Sequence, residues 1–154
     1  MRLRSAAAIA VYTSVLVSAC GEGPLPRIAL ATNLDYADAA ALALEDAANA
    51  WGSLPADTVL AAESVTRAST AIRTASELTQ MGGVVAVVGH SNSPSSLAAA
   101  PIYNENRIVQ LSPQSSAAAY SDAGPYSYRL VPPDDRQGRF IAESLRAMDG
   151  MARI

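Results

Sequence analysis

Two short loops carry the side chains of this chain best suited to meeting a small polar ligand: Ser91-Asn92-Ser93 and Gln114-Ser115-Ser116. Hydroxyl and amide groups on loops hold carboxylates, phosphates or ammonium groups by hydrogen bonding and leave them chemically unchanged. The segment Gly89-His90-Ser91-Asn92-Ser93 also invites a reading as a hydrolase nucleophile elbow, with its serine on a tight strand-to-helix turn. That reading fails on two counts. Its fifth position is serine where the turn needs glycine, and no histidine follows His90 to serve as the base. As the single histidine, His90 reads as a packed or rim-facing neutral side chain. Asp134-Asp135 sit at a predicted helix start, where carboxylates act as cap and dipole partners rather than as an acid–base pair. One cysteine and one histidine leave no metal cluster to assemble, so no metal and no cofactor are expected.

The elements that position these loops alternate. Arg27 to Thr32, Thr58 to Ala62, Val84 to Gly89, Ile108 to Leu111 and Tyr126 to Val131 read as strands. Between them, Tyr36 to Ala50, Arg67 to Met81 and Pro94 to Asn106 read as helices, and Asp134 to Met148 as a last one. Thr66 is the expected N-cap of the second helix, and Gly52 and Gly82-Gly83 close the first two. The β-branched run Val84 to Gly89 is the kind buried on both faces of a parallel sheet. The expected fold class is therefore α/β: a Rossmann-like three-layer αβα lobe with a mostly parallel sheet. Ligands bind such sheets at the carboxyl ends of the strands, where strand order reverses. Both hydroxyl-rich loops belong there. Ser93 followed by Pro94 reads as an N-cap and first-turn pair, a helix end that accepts an anionic group without a basic side chain. Capping alone also accounts for Ser93, and a solvated turn for the second loop.

The start of the chain has its own pattern. Arg2 and Arg4 precede an apolar run from Ala6 to Val17, which ends in Val17-Ser18-Ala19-Cys20. A basic segment, a short apolar run and small residues at a cleavage point make a secretory signal peptide. Small residues directly before the only cysteine resemble the lipobox of bacterial lipoproteins, in which the thiol is lipidated. Residues 1–19 are thus read as a signal peptide, Cys20 as the lipidation site and residues 20–26 as a linker. The expected location is the periplasmic or extracellular face of the cell envelope, with the membrane reached through lipid on Cys20. A net charge of −3 over 154 residues, with no lysine at all, argues against nucleic acid as a partner.

From Gly83 to Leu145 the sequence resembles a known family. Its pieces are a strand with a Gly-containing loop (GVVAVVGHSNS), a helix ending in Ile-Tyr-Asn-Glu, and a strand ending in Ser-Pro. A Gly-Pro-Tyr strand then leads to Pro-Pro-Asp-Asp-Arg-Gln-Gly. This order is similar to the leucine/isoleucine/valine-binding receptors, the type I periplasmic binding proteins that feed ABC importers. The resemblance implies that Ser93 and nearby backbone N–H groups hold the α-carboxylate of an amino acid. It also implies that Gln114 offers a carbonyl to the ammonium group and that Ser116, with Ser115 between them, touches both. An ABC transporter permease is the implied protein partner. The loop Asn33 to Tyr36 is shorter than the family pattern, so a contribution from the first strand is not expected.

Residues 27–154 correspond to part of the N-terminal lobe of that family, with no second lobe to close over a ligand. Charge-assisted hydrogen bonds contribute about 1.5–3 kcal/mol each, against about 8 kcal/mol for micromolar binding. The chain expressed alone is expected to bind amino acids at millimolar strength or not at all. The alternative is a stand-alone lipid-anchored module that binds another envelope protein. A polar rim on which Ser93 and Ser116 converge favours the receptor; a large exposed apolar patch favours the module.

Overall fold

The computed structural model describes residues 26–32, 37–52, 57–62 and 67–148. The predicted signal peptide, Cys20, most of the linker, the Asn33 to Tyr36 loop and Thr66 lie outside the described residues. Strand β1 (Arg27–Thr32) is followed by helix α1 (Ala37–Trp51), β2 (Asp57–Ala62), α2 (Ala68–Gln80), β3 (Val84–Gly89) and α3 (Ser93–Glu105). Next come β4 (Val109–Ser112), a single 3-10 turn (Ala118–Asp122), β5 (Ser127–Arg129) and α4 (Asp134–Ala147). The five strands lie in the order β2-β1-β3-β4-β5, and every described pairing is parallel. The expected α/β class holds. Parallel neighbours need crossover connections, which α1, α2 and α3 supply up to β4 and the segment with the 3-10 turn supplies from β4 to β5.

Strand order reverses at β1, because the chain leaves it towards β2 and returns to place β3 on its other side. Right-handed crossovers then put α1 on one face and α2 and α3 together on the other. The second layer is the core. Ala29, Ala31 and Val87 from the sheet meet Ala71, Ala75 and Leu78 of α2 and Ala99 and Tyr103 of α3. Alanines dominate this contact, so the helices approach the sheet closely and large side chains such as Tyr103 and Leu78 fill what is left.

The reading of β3 as a strand buried on both faces needs correction. Arg27 pairs with Val84 but Ile28 pairs with Ala86, so β3 carries one extra residue there. This bulge brings both Val84 and Val87 into the core and leaves Val85 49% exposed. Helix α4 stands apart from the core. None of its side chains is buried, and Phe140 and Ile141 face solvent. Its Asp134 and Asp135 do sit in the first turn, yet the cap position belongs to Pro133, so the carboxylates serve the dipole and not the cap. Among the described residues no helix is long and apolar enough to cross a membrane.

Candidate functional site

The switch point of the sheet is built around a close approach. Gly89, at the end of β3, has a φ of +143°, and a side chain there would run into the Ala31 carbonyl of β1. Only glycine lets the two strands come this near while the chain turns out towards α3. The turn delivers His90 inwards. Its ring is fully buried, stacked 5.8 Å from the Tyr103 ring, with Nε2 3.1 Å from the tyrosine hydroxyl. Of the two placements read from the sequence, packed or rim-facing, His90 takes the packed one.

The N-cap of α3 is Asn92, not Ser93. Asn92 has extended backbone angles, and its side chain accepts the N–H of Ser95 at 2.9 Å. Ser93 becomes the first helical residue and Pro94 the second, so the helix starts one residue earlier than in the serine-cap reading. Asparagine wins because its amide oxygen reaches the orphan N–H as well as a serine does, and proline's missing donor costs nothing in the first turn. Freed from capping, the Ser93 hydroxyl crosses to the other loop and accepts the N–H of Ala117 at 3.2 Å. The two loops predicted to share a rim are thereby in contact.

Beneath the rim lies a chain of buried hydroxyls. Ser112 donates to Ser115 at 2.6 Å, Ser115 to Ser96 at 2.7 Å, and Ser96 to the His90 carbonyl at 3.3 Å. All three serines are fully buried. Ser96 belongs to α3 and Ser112 ends β4, so the chain pins the helix start to the strand end. Gln110, on the same face of β4, donates to the Ser96 carbonyl at 3.2 Å. Sequence reading missed this chain; its signal was the recurrence of serine at 96, 112 and 115, masked by the commonness of serine in loops.

The site residues named from sequence separate accordingly. Ser93 and Ser116 are half-buried at the rim, and Gln114 is exposed beside them. Ser115 is corrected: its hydroxyl faces inwards and is committed to Ser96 and Ser112, so it shapes the loop and does not line the rim. The Ser116 carbonyl accepts the N–H of Asp134 at 2.8 Å, which ties the start of α4 to the same loop. Among the described residues no group of histidine, cysteine or carboxylate side chains gathers to hold a metal.

Two further residues brace this region, Asn104 from α3 and Arg129 from β5. Asn104, on α3, donates from Nδ2 to the carbonyls of Ala100 and Ala123 and to the Ser127 hydroxyl, and its Oδ1 accepts the N–H of Tyr126. Arg129 donates to the carbonyls of Ser115 and Ala117. Between them Tyr120 is buried, and burial pushes its phenol up to about 12, with Ser127 and Arg129 pulling the other way. The arrangement offers hydroxyls, an amide and a helix N-terminus on a rim, and no nucleophile with a base. It is equipped to bind.

Comparison with known proteins agrees. The model of the receptor family ligand binding region matches residues 36–149. No curated protein matches the chain. Among solved structures, an ABC transporter substrate-binding protein from Desulfitobacterium hafniense in complex with Leu is 27% identical, with a TM-score of 0.69. The match covers 78% of this chain and 38% of that one. A branched-chain amino acid transporter substrate binding protein from Streptococcus pneumoniae, in complex with isoleucine, is 18% identical at a TM-score of 0.67. It is covered to 38% by 79% of this chain. A solute binding protein of an ABC transporter from R. palustris, in complex with 4-hydroxybenzoate, is 14% identical at a TM-score of 0.65, with 77% and 36% covered. The last two likenesses are of fold. This chain spans less than two fifths of the length of each of these structures, all substrate- or solute-binding proteins of transporters.

Proposed function

This chain belongs to the receptor family of ligand-binding regions, and from that premise we propose that it is the ligand-holding part of a substrate-binding component of an ABC importer. The observation that carries the proposal is the convergence of Ser93 and the 113–117 loop, joined by the Ser93–Ala117 hydrogen bond. It favours the receptor over an interaction module. The ligand class is a small solute with a carboxylate, an amino acid first of all. The α3 N-terminus and the Ser93 hydroxyl receive the carboxylate, and the Gln114 carbonyl and Ser116 hydroxyl receive the ammonium group. Leucine, the ligand of the Desulfitobacterium neighbour, has both groups.

Residues 1–19 act in this reading as a signal peptide, and lipid on Cys20 holds the protein at the outer face of the membrane, where a permease is its partner. Two charge-assisted bonds of about 2 kcal/mol each amount to about 4 kcal/mol, a millimolar affinity. The test is a titration of the full, isotope-labelled chain with L-leucine, followed by NMR. Shifts confined to Ser93, Gln114 and Ser116 are expected. No shift with leucine, or shifts scattered away from these residues, would overturn the reading.

A further inference from the structure

Arg129 brackets Ser116. Its guanidinium donates to the carbonyl of Ala117 at 2.9 Å and to that of Ser115 at 3.4 Å, the residues on either side. Another bond reaches the Ser121 hydroxyl. The guanidinium carbon lies 6.0 Å from the centre of the Tyr120 ring. Arg129 stands on the edge strand β5, and its backbone is in register with Ser112, the last residue of β4. From that position its half-buried side chain runs to the loop that leaves β4. Among the described residues Arg129 forms no ion pair; the one recorded is Arg73 with Glu77. Its donors are spent on main-chain oxygens and one hydroxyl.

The chemistry of the fork matters. A guanidinium is planar and presents several N–H groups at fixed angles, so it holds two carbonyls and a hydroxyl in one geometry. An ammonium group on a flexible stem carries the same charge without that geometry. Ala117 is held on both of its peptide units: its N–H by Ser93, and its carbonyl, in the next unit, by Arg129 and by the Tyr120 N–H at 3.0 Å. Releasing the guanidinium leaves the Ala117 carbonyl held by the Tyr120 N–H alone and frees the Ser115 carbonyl, so the backbone angles on both sides of Ser116 loosen and the bond from Ala117 to Ser93 weakens with them.

We infer that Arg129 is the positioning residue of the ligand rim: it holds the Ser115–Ala117 loop so that Ser116 and the Gln114 carbonyl face Ser93, and it acts through that loop and not on the ligand. The inference rests on the receptor reading for its ligand arm and on geometry alone for its loop arm.

The experiment separates the arms. Amide hydrogen exchange of the full chain is followed without ligand in wild type, Arg129→Lys and Arg129→Gln, and each is then titrated with L-leucine. Both variants are expected to exchange the Ala117 amide about tenfold faster, the factor for a lost hydrogen bond of ordinary strength. The amides of Val87 and Ala99 are expected to keep their rates, and leucine to bind several-fold more weakly. Arg129→Lys, which keeps the charge, is the decisive variant, because a purely electrostatic role would leave it like wild type. Unchanged Ala117 exchange in both variants overturns the inference. So does acceleration shared equally by Val87 and Ala99, which marks a merely structural loss. If wild type does not respond to leucine, the receptor reading fails for that probe, while localised Ala117 exchange still supports Arg129 as the holder of the loop.

Discussion

The Ser93 hydroxyl and the Ala117 N–H stand 3.2 Å apart, the oxygen accepting. One hydrogen bond thus joins the start of α3 to the loop after β4, the two loops most able to meet a ligand. Accepting that bond leaves the serine's own O–H to donate to a carboxylate.

Replacing the serine separates its two roles. Ser93→Ala is expected to cost about 1 kcal/mol of stability, the net worth of one hydrogen bond, measured by urea unfolding. Leucine-induced shifts at Ser116 are expected to vanish in the same variant. Retention of those shifts would show that Ser93 is not a ligand residue.

The hydroxyl chain from Ser112 through Ser115 to Ser96 is buried, and each member both donates and accepts. Removing the middle one deletes its two hydroxyl bonds, while Ser96 and Ser112 keep each other at 3.2 Å and the His90 carbonyl as partners. Ser115→Ala is expected to destabilise the fold by about 1–3 kcal/mol. The double variant Ser112→Ala, Ser115→Ala should cost less than the sum of the singles, because the two share one bond. Denaturant midpoints that add within error would contradict this coupling.

Asn104 makes four hydrogen bonds, one within α3 and three that fasten the helix to the segment from the 3-10 turn to the start of β5. Gly124, at a φ of +126°, packs so tightly on its side chain that a Cβ would collide with it. Asn104→Ala is expected to lower stability by about 2–4 kcal/mol. Its effect on amide exchange should centre on Tyr126 and Ser127. A loss below about 0.5 kcal/mol would mean that this segment is held by other contacts.

Tyr120 sets a limit at high pH. Burial raises its phenol from 10.0 to about 12, so the folded state keeps a proton that the unfolded chain gives up. The stability linked to this group is fully present below pH 10 and is lost as the pH climbs through 12. Phenolate absorbance should show Tyr120 titrating late, and Tyr120→Phe should reduce the late-titrating absorbance by one tyrosine. Titration of every tyrosine near 10 would refute the assignment.

Attachment through Cys20 is open to a direct test. Metabolic labelling with a radioactive fatty acid should mark the wild-type chain and leave Cys20→Ala unlabelled. Equal labelling of both would remove Cys20 as the lipid site.

Much of the fold was legible because it follows from local rules. Strand runs such as Arg27 to Thr32, glycine stops at Gly52 and Gly82, and the alternation of strand and helix depend on residues adjacent in sequence. That alternation, with right-handed crossovers, was enough to bring Ser93 and the 114–116 loop to one end of a parallel sheet. The motif order from Gly83 to Leu145 carried the family.

Tertiary structure decided which serine does what. Ser115 and Ser116 are neighbours of identical chemistry, yet one hydroxyl is fully buried against Ser96 and Ser112 while the other stays at the rim. Nothing in their local sequence distinguishes them; the distance from α3 to β4 does. The extra residue that exposes Val85 likewise depends on pairing with β1, which local propensity does not see. The cap of α3 was set by competition between two good capping residues, Asn92 and Ser93, settled by where the serine found a second partner. Periodicity and turn chemistry are properties of neighbouring residues, so the sequence determined the elements and their order. Hydrogen bonds between distant residues exist only once those elements have packed, so the placing of each site side chain belonged to the fold.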